Sequence, residues 1–174
     1  MAIVSVLTFW FAGAVALGAS VLAISRRSPV HGLLWLILSL LAVAVLFFML
    51  GAPFAAALEV VLYAGAIMVL FLFVVMILNL GRETDETEAA WLPVGAWMLP
   101  GVLALGLGAC VIAVAWSGGM QNTSGEMIGP QAVGVALYGP YVIGVELASM
   151  LLLAGLVAAY HLGHRTKRPK GEEA

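Results

Sequence analysis

The chain has 174 residues, of which 64% are hydrophobic and only 9% charged, with a mean hydropathy of +1.14 and a formal net charge of −2. That composition lies far outside the range of a soluble domain and predicts a single polytopic, all-α membrane domain, whose natural surroundings are the lipid bilayer and not nucleic acid. The one cysteine, Cys110, sits in an apolar run, so the chain has no internal disulfide framework, thiolate metal cage or cysteine-held iron–sulfur cluster.

The first predicted span covers residues 3–24. No basic residue precedes it and no polar, small-residue cleavage region follows a short apolar core, so it reads as a retained transmembrane helix and not as a removable signal peptide. Ser25-Arg26-Arg27-Ser28-Pro29 ends it, because Pro29 disfavours the helical conformation at Ser28 and is itself suited to open the next helix. A second span follows over 30–50, and only Gly51-Ala52-Pro53 separates it from the third. That connection predicts a tight hairpin.

The third span, 53–80, is the unusual one. At ~1.5 Å per residue it would make a helix of roughly 42 Å, against ~30 Å of hydrocarbon, so it must tilt or emerge. Glu59 is its only acid, and Tyr63-Ala64-Gly65-Ala66 interrupts a run of Val, Leu, Ile, Met and Phe with small side chains. Residues 81–88 then form a charged stretch that belongs in water. The fourth span is predicted over 91–116, with Pro100 inside it as a kink and tryptophans at both ends as interfacial anchors. Residues 117–139, rich in Gly, Ser, Asn and Gln, read as a long irregular loop. The fifth span is predicted over 140–162, before a basic and polar tail over 163–174.

Five crossings put the first connection, the third connection and the C-terminal tail on one side. All seven basic residues (Arg26, Arg27, Arg82, Arg165, Lys167, Arg168, Lys170) then fall on that side. The positive-inside rule makes it cytoplasmic, with the N-terminus outside and the 117–139 loop on the outer face of a bacterial-type cytoplasmic (inner) membrane.

Glu59 follows Pro53 by six residues and Glu146 follows Pro140 by six, so each carboxyl is predicted about 9 Å into a helix that enters from the outer side. An ionisable group within a span must face protein or water, since at the centre it costs roughly 2.5–3.5 kcal/mol on insertion scales. Two readings stand. The acids form a proton relay, or each is a neutral, hydrogen-bonded link between helices, with Tyr63 one turn on as a partner for Glu59.

Tyr63 to Ala66 also has two readings. Small residues let a neighbouring helix approach closely. Alternatively the stretch is a π-bulge, a single wide turn that adds one residue and rotates what lies beyond it by about 100° relative to the α form. Gly65 lowers the resistance of the backbone to that change. Elsewhere the signals are weak. A haem between His31 and His161 lacks a supporting spacing. Asn122-Thr123-Ser124 fits a glycosylation sequon that is common by chance. Gly106-Leu107-Gly108 lies inside an apolar span and cannot be a dinucleotide loop.

The run Glu59-Val60-Val61-Leu62-Tyr63-Ala64-Gly65-Ala66-Ile67-Met68-Val69-Leu70-Phe71-Leu72-Phe73-Val74-Val75-Met76 resembles the hallmark of the subunit J family of respiratory complex I, the proton-pumping NADH:quinone oxidoreductase. The family pattern is close to VYAGAIMVLFLFVVM, from which Leu62 departs in place of Val. Pro29-Val30-His31 and Gly51-Ala52-Pro53-Phe54 resemble its connections, and Pro140 to Ser149 resembles its last helix more loosely. The resemblance is strong over residues 25–80 and slight in the fourth span and the long loop.

It implies a five-helix subunit lying between the quinone-reducing module and the antiporter-like pumping subunits of the complex. It further implies a π-bulge in the third helix whose switch between π and α winding opens or closes a hydrated proton path. Tyr63, Ala64, Gly65, Ala66 and Met68 stand at the matching positions, with Glu59 one turn before and Glu146 as the second intramembrane acid. NADH, FMN, iron–sulfur clusters and quinone belong to the complex, and no cofactor or metal is expected on this chain. The rival readings are a stand-alone proton-coupled transporter, against which no inverted repeat is found, and a structural assembly subunit whose small residues only pack.

Overall fold

The computed structural model describes residues 2–26, 29–79, 94–116 and 127–163. Most of these are helical, and no strand occurs among the described residues. Helix α1 spans Ala2–Ser25, α2 Pro29–Met49 and α3 Pro53–Leu58. A π-helical segment, Glu59–Ile67, joins α3 without a break to α4, Met68–Asn79. Then come α5 over Val94–Trp116, α6 over Pro130–Tyr138 and α7 over Val142–Gly163. Five stretches are long and apolar enough to cross a bilayer: Ile3–Ser25, Pro29–Met49, Pro53–Ile77, Met98–Trp116 and Val142–Gly163. The charged run at 81–88, the loop residues 117–126, the basic tail from His164, and Arg27 all lie outside the described residues.

The chain divides into two compact units, Met1–Gly129 and Pro130–Ala174. In the first, α1 and α2 pack along most of their length and α5 joins them. The core is Ala12, Val15, Ala16 and Ala19 of α1 with Trp35, Leu38, Ala42 and Val45 of α2 and Leu107 of α5. On α1 those positions recur at three and four residues, so they form one stripe. Three of the four are alanines. Lipid tails are as apolar as a leucine side chain, so helices in a membrane gain from close packing more than from burial, and small side chains provide it.

Close approach puts polar atoms of the two helices in range. Ser39 of α2, buried, donates its Oγ proton to the carbonyl of Ala16 at 2.9 Å, and its Oγ lies 2.8 Å from Ser20 Oγ. A serine hydroxyl has one proton, already used toward Ala16, so Ser20 is the donor in the second bond. Interhelical hydrogen bonds in membranes average about 0.6 kcal/mol in double-mutant cycles. Ser39→Ala is therefore expected to lower the stability of the α1–α2 pair by about 1 kcal/mol, read as a lower midpoint for thermal release of this subunit from its solubilised assembly. Near the start of α2, the Arg26 guanidinium lies 5.9 Å from the ring centre of the buried Trp35, within cation–π range.

The connection from α2 to α3 is a hairpin at Gly51-Ala52. Gly51 has φ of +82°, the left-handed region that a residue without Cβ enters at little cost. Pro53 opens α3 at a position where a missing N–H is no loss. Pro100 sits within α5 and does not end it.

The second unit departs from the sequence expectation in two places. Residues 130–138, assigned above to an irregular loop, form α6, opened by Pro130 at its first turn and carried by Ala, Val and Leu after it. The Gly, Asn and Ser richness that suggested a loop lies upstream of Met127. The last span also begins later than its proline: Pro140 and Tyr141 are in a turn, where the Tyr141 N–H reaches the Ala136 carbonyl at 3.2 Å, and α7 starts at Val142. Glu146 is thus about 6 Å into its helix and not 9 Å, so the equal spacing of the two acids from a proline is not an equal helical rise.

Candidate functional site

The third span changes its winding at the motif. In α3 the ordinary ladder holds, and the Glu59 N–H reaches the carbonyls of Ala55 and Ala56. At the far end of the π segment the Met68 N–H reaches the Tyr63 carbonyl, five residues back, as well as that of Gly65. The wide winding covers Glu59–Ile67, nine residues. This is more than the single turn expected at Tyr63 to Ala66. The upstream part contains Val60 and Val61, residues ordinary in any membrane helix. The sequence carries no particular signal for the longer segment.

Ala64 and Met68, four residues apart, are the buried positions of this stretch, at 7% and 9% exposure. Gly65 and Glu59 are half-buried, and Tyr63 and Ala66 are exposed on this chain. A Cβ placed on Gly65 would lie 3.1 Å from the Val60 carbonyl oxygen and within 4 Å of no atom of another described helix. Within this chain, then, Gly65 does not serve the close approach of a neighbouring helix; its tight contact is with its own widened turn. Among the described residues no side-chain hydrogen bond ties Glu59 to Tyr63. A π turn closes one residue later than an α turn, so side chains four apart no longer stack.

Beside the segment, α2, the third span and α5 leave a cavity of about 400 Å³, lined in part by Phe48, Ala56, Ala57, Val60, Leu107 and Val111. Every lining side chain is apolar. Ordered water needs two to four polar partners, so this cavity is not itself a water path. From the third span it is lined by Pro53, Ala56 and Ala57 of α3 and by Val60 of the π segment.

Six of the seven residues singled out from the sequence (Glu59, Tyr63, Ala64, Gly65, Ala66 and Met68) therefore lie together in or at the end of the π segment. Glu146 belongs to the second unit, on α7, where its side chain is exposed and its backbone carbonyl accepts the Ser149 hydroxyl at 2.7 Å. A carboxyl within a span needs protein or water around it. The described residues of this chain supply no such cover for Glu146. No cluster of three or more His, Cys, Asp or Glu side chains with metal-binding geometry occurs among the described residues.

A chain with five apolar helices and a π segment in the third belongs, by sequence comparison, to an oxidoreductase subunit family. The model of the family described as NADH-ubiquinone/plastoquinone oxidoreductase chain 6 matches residues 19–162, and the chain belongs to that family. Among curated relatives it is 54% identical over 162 residues to NADH-quinone oxidoreductase subunit J of Pseudomonas aeruginosa, covering 90% of this chain and 95% of that one. It is 48% identical over 159 residues to the subunit J of Escherichia coli (strain K12), covering 91% and 86%. The subunit J of Rhodobacter capsulatus is 35% identical over 177 residues.

Proposed function

We propose that this chain is a multi-pass subunit of the cytoplasmic membrane through which complex I couples quinone reduction to proton translocation, and that a change of winding in Glu59–Ile67 is its moving part. The observation that carries the reading is the π segment itself, lying over the motif and holding the only acid of the third span. A π turn contains one more residue than the α turn it replaces. Its loss would turn the remainder of the helix by about 100° and shift it by ~1.5 Å, enough to exchange the side chains facing a given neighbour. Glu59 is then positioned to accept or release a proton on one winding and to be sealed from its partners on the other.

The neighbours are the other membrane subunits of the complex, the quinone-reducing module on one side and the antiporter-like subunits on the other. Exposure of α7 along its length and of the α4 side chains Val69, Leu70, Phe71 and Phe73 supports an extensive contact of that kind. NADH, FMN, iron–sulfur clusters and quinone are held elsewhere in the complex, and this chain contributes coupling and no redox centre. The arrangement of basic residues supports an outside N-terminus and a cytoplasmic C-terminus.

The test is quinone-linked proton translocation by membranes whose complex carries Gly65→Val. A companion measurement addresses Glu146. Glu146→Gln keeps the shape and a hydrogen-bonding head but cannot exchange a proton, so it is expected to lower the protons moved per NADH oxidised. An unchanged ratio would remove Glu146 from the proton route and leave it a packing residue.

A further inference from the structure

Among the described residues, one backbone hydrogen bond outside the helices joins the segment after α5 to the hairpin that launches the third span. The Ile128 N–H donates to the Gly51 carbonyl at 2.9 Å. Around it the hairpin's own bonds are local: Leu50 N–H to Leu46, Gly51 N–H to Phe48 at 3.2 Å, Ala52 N–H to Phe47, and Ala56 N–H to Ala52. Pro53 has no N–H to offer the Gly51 carbonyl, and the left-handed φ of Gly51 turns that carbonyl out of the α2 ladder. Ile128 supplies the donor from a part of the chain remote in sequence.

We propose that this bond is a latch fixing the hairpin end of the third span, so that a change of winding in Glu59–Ile67 is delivered to α4 and not lost at the hairpin. The second half of that statement rests on the function proposed above. The geometry favours it because the two ends of the span are held unequally. The hairpin end is only the six residues of α3 away from the π segment, about 9 Å, and is tied by α2 and Ile128. Beyond Met68, the side chains of Val69, Leu70, Phe71 and Phe73 are more than half exposed on this chain, so the chain's own packing holds α4 less than it holds the hairpin end and leaves its movement to be received by the neighbouring subunits. A rotation generated between a tied end and a loose one appears at the loose one.

The test uses the whole complex in sealed membranes, with Cys110→Ser as background and Ala52→Cys as a reporter labelled by a membrane-impermeant maleimide from the hairpin side. Ile128→Pro removes the donor; Ile128→Ala keeps it and removes only the side chain. Gly51→Ala disturbs the same bond from the other partner, through the φ of +82° that Ala adopts poorly. Labelling is expected to run about fivefold faster with Ile128→Pro and with Gly51→Ala than with Ile128→Ala, the population change corresponding to one net hydrogen bond. Protons moved per NADH should fall in the same two variants while NADH oxidation continues. Equal labelling in Ile128→Pro and Ile128→Ala overturns the latch, and faster labelling with an unchanged proton ratio overturns its part in coupling. Labelling reads the bond itself, whereas pumping by Gly65→Val reads the change of winding, so failure of either reading is distinguishable from failure of the other.

Discussion

Complex I carrying Gly65→Val in this subunit is expected to assemble and oxidise NADH, yet to move protons roughly five- to thirtyfold more slowly than the unaltered complex. The π segment brings the Val60 carbonyl to 3.1 Å from where a Cβ on residue 65 would stand, closer than such contacts ordinarily come. Forcing a branched side chain into that place costs on the order of 1–2 kcal/mol, which shifts a two-state balance by a factor of about 5–30 toward the narrower winding. No atom of another described helix lies within 4 Å of that Cβ, so the substitution acts first on the winding of its own segment, away from the α1–α2–α5 core. Gly65→Ala, with no branch, should give an intermediate rate. The measurement is proton uptake or release by inverted membrane vesicles, alongside quantification of assembled complex. Pumping at the unaltered rate in Gly65→Val would leave the segment a structural feature only.

The second large effect concerns assembly. Gly32→Val is expected to destabilise the packing of α1 against α2 by about 1–3 kcal/mol, the usual cost of forcing extra carbons into a packed interface. A Cβ on residue 32 would stand 2.9 Å from the carbonyl oxygen of Ala23, a backbone atom that cannot rotate away as a side-chain tip can. The helices must part at that end, and with them the neighbouring contact of Arg26 on Trp35. A lower melting midpoint and a smaller yield of assembled complex are the readouts. An unchanged midpoint would show that α1 and α2 shift against each other freely.

Comparison of the two sites shows what a sequence makes legible. Hydropathy alone separates five spans, because twenty apolar residues in a row have few other uses. The hairpin at Gly51 and the opening of α2 at Pro29 follow from the backbone limits of glycine and proline. The weak turn at Tyr63 to Ala66 was visible as small residues in a run of large ones. Its extension back to Glu59 was less so, since Val60 and Val61 are ordinary in any membrane helix. Helix α6 was obscured because the Gly- and Asn-rich stretch before it dominated the composition of 117–139. The pairing of Ser39 with Ala16, and of Ile128 with Gly51, depends on backbone atoms meeting through space, and backbone atoms leave no pattern in residue types. The tie expected between Glu59 and Tyr63 presupposed an α turn, the one winding the structure does not have there.

The hairpin between α2 and α3 carries one further consequence, for biosynthesis. Gly51 and Ala52 have no charge and between them a single methyl group for a side chain. Carrying a charged side chain through the hydrocarbon centre costs roughly 2.5–3.5 kcal/mol on insertion scales, and this link has none to carry. The two helices it joins can therefore leave the translocation machinery as a pair, tip first, with no charged side chain at the tip for the lipid to oppose.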